Sequence, residues 1–207
     1  MKRGERRDPL RLQAQRQRVA FEAARLIAQH GLQDYHQAKL RAAHRLGFTD
    51  AAALPGNAEV LVELRDYQRL FQGEEQPRQL RLRREAAVPA MQFFECFEPR
   101  LVGSVLEGSA DGNSPVSLQL FCDDADEVAR LLLDSHLRAS AEPGHKLRID
   151  RKRVENFPHW SFFADGIPFE LTVLPTALLR NAPLSPIDGK PMQRASLVTL
   201  RELLTGP

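Results

Sequence analysis

The chain has 207 residues, 43% of them hydrophobic, with 29 Lys and Arg against 27 Asp and Glu and only two cysteines. That length fits one large domain or a small helical module joined to a compact core, and the apolar share excludes a globally disordered chain. No apolar run approaches the ~20 residues of a membrane span. The charged start Met1-Lys2-Arg3-Gly4-Glu5 lacks the apolar stretch of a signal peptide. Cys96 and Cys122 form no paired-cysteine metal motif. The expectation is a bacterial-type cytoplasmic protein with reduced thiols and no membrane partner.

The first helix is expected over about 10–29, where Leu12, Val19, Ala23, Leu26 and Ile27 recur at helical spacing and Gly31 stands as a C-cap. A second, over 34–45, opens on Asp34 and ends at Gly47. A third, over 58–72, puts Val60, Leu61, Leu64 and Tyr67 on one side. Residues 73–77 form a polar break, dividing a helical module over 1–75 from a second domain over 76–207. A fourth helix over 78–97 contains Pro89, which is expected to kink or split it.

After Pro99 the period becomes extended. Leu101-Val102 and Val105-Leu106 flank Gly103-Ser104, and residues 116–121 alternate as a strand with one buried face. A short helix follows to about 135, opening on Asp123 and Asp124. Three strands are expected over 146–150, 159–164 and 168–174, the last two joined by an Asp165-Gly166 hairpin turn. A tail broken by Pro183, Pro186 and Pro191 leads to a last helix near 197–204. The fold class is α+β: a helical module, then a small mixed sheet flanked by helices.

The stretch Leu101-Val102-Gly103-Ser104-Val105-Leu106-Glu107-Gly108, followed by Ser114-Pro115-Val116-Ser117-Leu118-Gln119-Leu120-Phe121, resembles the nucleotidyltransferase fold of the DNA polymerase β superfamily. The resemblance covers about residues 78–175. It implies that Gly103, Ser104 and Gly108 hold a nucleotide's phosphates. It also implies that carboxylates on the following strand chelate Mg2+ and that Glu170, on a later strand, supplies a third acid. The chain departs from the family where its Asp-x-Asp motif belongs, because Pro115 and Ser117 stand there. Proline offers no ligand and a neutral hydroxyl is a poor one for a hard cation. Glu107 and Asp111 in the intervening loop, or Asp123 and Asp124 at the strand's far end, are the replacement ligands on offer.

The expected function is thus a nucleotidyltransferase-like protein that binds a nucleoside triphosphate or RNA, with transfer open only through an atypical metal site. Basic clusters supply the approach to a polyanion: Arg3, Arg6, Arg7 and Arg11, then Arg81, Arg83 and Arg84. A solvated helix face has the same composition. The scattered histidines are given no catalytic role, and Trp160, Phe162 and Phe163 read as sheet packing. The alternatives are a DNA-binding regulator using the N-terminal helices, or a non-catalytic interaction scaffold.

Overall fold

A computed structural model describes residues 9–32 and 34–206. Arg3, Arg6 and Arg7 lie outside the described residues. The chain divides into two compact units, one ending at Gly73 and the other beginning at Glu74.

The first unit is helical: α1 (Pro9–His30), α2 (Tyr35–Arg45) and α3 (Asn57–Phe71), with a short 3-10 turn, Ala51–Ala53, before α3. Local chemistry sets the boundaries. Gly31, at φ 63°, ends α1 in the left-handed region that glycine enters without steric cost. The Asp34 carboxylate accepts from the backbone N–H of His36 and Gln37 and caps α2. The core is built on Val19, Ala23 and Leu26 of α1, Ala38 and Ala42 of α2 and Val60 of α3, and its many alanines let the helices approach closely.

The second unit is a five-stranded mixed sheet flanked by helices. Its elements are α4 (Glu75–Phe93), β1 (Arg100–Val102), α5 (Gly103–Glu107), β2 (Val116–Phe121), α6 (Ala125–Asp134), β3 (Ser140–Arg148), β4 (Val154–Ala164), β5 (Ile167–Leu174) and α7 (Leu197–Thr205). The spatial order is β1-β2-β5-β4-β3; β2 and β5 run parallel and every other pair is antiparallel.

Period-2 patterning gives the sheet two distinct faces. Val116, Leu118 and Leu120 of β2, Phe169, Leu171 and Val173 of β5, and Phe162 of β4 share one core with Ala87, Met91, Val128, Leu132 and Leu200 from α4, α6 and α7. At one end of the opposite face Phe121, Leu147, Phe157 and Leu174 meet Leu178, Leu179 and Met192 of the tail. Most of the rest of that face is polar, the exceptions being Val102 of β1 and the Phe163–Pro168 pair.

Three expectations need correction. α4 continues through Pro89 as one helix, so the helix is not split there. Pro89 and Glu85, whose carbonyl would lack its N–H partner, are both exposed, so water can satisfy that carbonyl. Val105 and Leu106 lie in α5 rather than in a strand: Gly103, at φ 71°, breaks β1 and the chain turns into a helix at once. The third strand begins at Ser140, well before the expected 146, because its outer residues are mostly exposed and leave no apolar alternation to read. The Asp165-Gly166 turn forms as expected, with φ of 50° and 77°.

Candidate functional site

The polar face is organised by strand register. Val102 pairs with Ser117, Ser117 with Glu170, Glu170 with Ser161 and Ser161 with Ser140, giving one row of residues across all five strands. The next row is Arg100, Gln119, Thr172, His159 and Glu142. Paired residues share a face and neighbouring strands lie ~4.8 Å apart, so ten residues distant in sequence form one surface.

Glu170 sits at its centre. Ser117 Oγ donates to Glu170 Oε2 at 3.4 Å, a long contact, and Ser161 Oγ donates to Glu142 Oε1 at 2.7 Å. His159 Nδ1 lies 3.2 Å from Thr172 Oγ1, and the His145 and His159 ring centroids are 5.3 Å apart. Register shifts between Glu142 and His145 in β3, and this irregularity brings His145 into pairing with Phe157, two residues along β4 from His159.

Burial raises the pKa of the Glu170 carboxyl; His145 and the Ser117 hydroxyl oppose the shift, and Glu142 adds to it. The two imidazoles move the other way. Desolvation holds His159 below the ordinary histidine value against the pull of Glu142 and the Leu171 carbonyl. His145 keeps part of its ring in water, yet it too is lowered, first by desolvation and then by His159. Acid and imidazoles are thereby brought closer in proton affinity. With its hydroxyls, this face can both donate and accept hydrogen bonds to a polar ligand, whereas the Gln119 amide is 2% exposed and already engaged by Arg194 and Met192.

Gly103 enters the site from β1. A Cβ there would lie 3.8 Å from Ser117 Oγ, so the turn passes directly beside the Ser117–Glu170 pair. Of the residues singled out in the sequence, the structure brings together Gly103, Ser117 and Glu170, with Ser104 next in chain.

Others are committed elsewhere. The Ser104 carbonyl receives the N–H groups of Gly108, Ser109 and Ala110, and Gly108, at φ 86°, closes the C-terminal end of α5. Glu107 is the last residue of α5 and half-buried. Asp111 is only 7% exposed, and its Oδ1 accepts from Asn113 N at 2.9 Å and Ser114 Oγ at 3.0 Å, closing its own loop. Asp123 binds the Thr176 backbone N–H and hydroxyl, and Asp124 caps α6. Asp111 and Asp124 thus bind donors of their own loops, and Asp123 binds those of Thr176, instead of converging on Glu170.

The second basic cluster also divides. Arg81 is exposed and pairs with Glu85 at 2.9 Å. Arg83 is 3% exposed and donates to the carbonyls of Ser114 and Gly112 and to Gln79. Arg84 donates to the carbonyls of Val105 and Leu106. Arg83 and Arg84 thus hold α5 and the loop before β2 against α4, and neither guanidinium is offered to a polyanion. Arg11 is exposed at the start of α1.

Comparison of the chain with family models, with curated proteins and with solved structures finds no match. The chemistry must therefore be read from the residues themselves.

A two-magnesium centre needs several hard oxygen ligands held at short range. Here Pro115 is buried and ligand-free, Ser117 is neutral, Glu170 has a raised pKa, and Glu142 is engaged by Ser161. Among the described residues no group of three or more His, Cys, Asp or Glu is arranged to hold a metal ion. The donor set does not fit that centre.

His145, His159, Ser161, Thr172 and Gln119 escaped the sequence reading as site residues. The signal for part of them was present: Glu155, Phe157, His159 and Ser161 alternate along β4, and Glu170 and Thr172 along β5, giving each strand one polar face. Which polar faces meet depends on register, which a single sequence does not reveal.

Proposed function

We propose that the unit beginning at Glu74 is a nucleotidyltransferase-like module that binds a nucleotide, free or within RNA, without transferring it by the two-metal route. The observation that carries this reading is the parallel pairing of β2 with β5. It sets Ser117 beside Glu170, with the Gly103 turn alongside. These are the positions at which the resemblance places phosphate-binding turn, strand carboxylate and third acid. With Ser at 117 and Pro at 115, where the resemblance calls for acids, the arrangement lacks the charge that a two-metal site needs.

What remains suits recognition. A ribose presents hydroxyls that donate to Glu170 and to the hydroxyl oxygens of Ser117 and Ser161. A base presents donor and acceptor edges that match the imidazoles of His145 and His159. The test is equilibrium titration of the full chain, in EDTA, with each nucleoside triphosphate and a short single-stranded RNA. The reading expects saturable binding that weakens about tenfold in Glu170→Ala, the loss of roughly one strong hydrogen bond. No binding of any of them, or binding indifferent to Glu170, overturns it.

A further inference from the structure

On the same face, at the β1 edge, the tail supplies a positive charge that no acid answers. An antiparallel bridge joins Leu101 to Ala195. Both belong to the core, so the alternation turns Arg194 onto the polar face with Arg100, Ser117 and Gln119. The Arg194 guanidinium stacks over Phe121, 5.0 Å from the ring centroid. Its Nε donates to Gln119 Oε1 at 2.7 Å, and Nη1 donates to the carbonyls of Leu178 at 2.7 Å and Leu179 at 3.4 Å.

A guanidinium carries five N–H groups, two of them on Nη2. Nη2 of Arg194 is buried and has no partner among the described residues. Burial lowers the pKa of this side chain to about 10, and the charge that reaches it is another cation, Arg100, which lowers it further. Arg100 donates through Nη1 to the carbonyls of Glu98 at 3.1 Å and Pro99 at 3.0 Å, and its Nη2 meets Glu98 Oε2 at 3.2 Å in a pair of the kind that contributes little.

Arg83 shows that a buried arginine can act as a structural tie when all three of its nitrogens meet acceptors; Arg194 differs in leaving one buried nitrogen unmet. A planar fork held rigid on three sides, with its remaining edge unmet and a second arginine beside it, instead suits an oxyanion. We infer that Arg194, with Arg100 beside it, forms an anion site that takes a phosphate group of the bound ligand. The choice of phosphate rests on the nucleotide reading above; the positive site itself does not. Gln119, held by Arg194, is two residues along β2 from Ser117, about 7 Å. A phosphate at Arg194 is therefore within one nucleotide's length of Glu170.

The experiment titrates the full-length protein, in EDTA, with inorganic tripolyphosphate and in parallel with a nucleoside triphosphate, using calorimetry and phosphorus NMR. The parent is compared with Arg194→Gln, which keeps a donor for the tail carbonyls, and with Arg100→Gln at the surface. Tripolyphosphate is expected to bind the parent, about tenfold more weakly in Arg194→Gln and about threefold more weakly in Arg100→Gln. Circular dichroism checks that each variant is folded; if Arg194→Gln is not, Arg100→Gln decides. Tripolyphosphate that fails to bind the parent, or binds the folded variants equally well, overturns the inference. Tripolyphosphate binding that the variants lose, with no added affinity for the nucleoside triphosphate, keeps the anion site and removes the nucleotide reading. Nucleotide binding that both variants retain does the reverse.

Discussion

Replacing Arg83 by methionine separates an arginine that builds the site's scaffold from one that contacts a polyanion. The side chain is 3% exposed, with Nε donating to Ser114 O at 2.6 Å, Nη2 to Gly112 O at 2.5 Å and Nη1 to Gln79 Oε1 at 2.6 Å. Methionine keeps the apolar stem and removes these three bonds together with a longer fourth, from Nη1 to Gln79 O at 3.3 Å. Gly112 is exposed, so water takes over its carbonyl, whereas Ser114 and Gln79 are half-buried and keep part of the loss. A hydrogen bond from a charged donor contributes about 1.5–3 kcal/mol. Against two of these stands relief from burying the guanidinium, whose pKa is already lowered by desolvation. The net is a destabilisation of about 2–4 kcal/mol, or about 6–14 °C in Tm. The assay is urea unfolding followed by the fluorescence of Trp160, the chain's single tryptophan, which packs against the core of the second unit. A loss below about 0.5 kcal/mol, the range of an ordinary surface change, together with weakened RNA binding, would refute the structural role.

Three further outcomes follow from the geometry. Gly103→Ala meets no clash, but φ of 71° is a left-handed conformation that costs an alanine about 1–2 kcal/mol; unfolding midpoints equal to the parent's would show that the turn is not held there. Glu170 has a folded pKa above its unfolded one, so its contribution to stability is fully present below the ordinary carboxylate range and lost as pH rises through the folded value. Glu170→Gln should therefore lose less stability than the parent between about pH 4 and pH 7, read by urea titration at each pH. His145 and His159, both lowered, act oppositely, and their contribution is lost as pH falls below the ordinary histidine value. Equal slopes in parent and Glu170→Gln would contradict the burial of that acid. Ser117→Asp places a second carboxylate in register with Glu170 and should cost about 1–3 kcal/mol at neutral pH, with Mn2+ restoring part of it in a thermal melt. A variant as stable as the parent, and indifferent to Mn2+, would show that the two side chains do not share a site.

Much of the fold was legible because it is written in local chemistry. Asp34, Gly31 and Asp165-Gly166 mark boundaries through capping and positive φ, and helical spacing in α1 and strand alternation in β2 identify the buried sides. The expectations that failed depended on context: Val105 and Leu106 are apolar enough for a strand, and only the conformation at Gly103 turns them into a helix. In the site, Gly103, Ser117 and Glu170 were visible as residues, but their adjacency depends on the parallel β2–β5 pairing. His145 and His159 meet only through an irregular β3–β4 register, and Arg194 reaches the sheet through a single bridge, Leu101↔Ala195. Arg83 and Arg84 read as surface charge because sequence gives their number and not the carbonyls they bind.

The most direct test of the central claim is one labelling experiment on the full chain. The protein is incubated with α-phosphate-labelled nucleoside triphosphates, Mg2+ or Mn2+ and total RNA, and retained label is separated from covalently transferred label. The account predicts saturable, reversible retention that Glu170→Ala weakens, and no transfer above a protein-free control. Covalent transfer that depends on the protein and disappears in Ser104→Ala would contradict it by showing a rebuilt catalytic centre; neither retention nor transfer would contradict it by removing the nucleotide altogether.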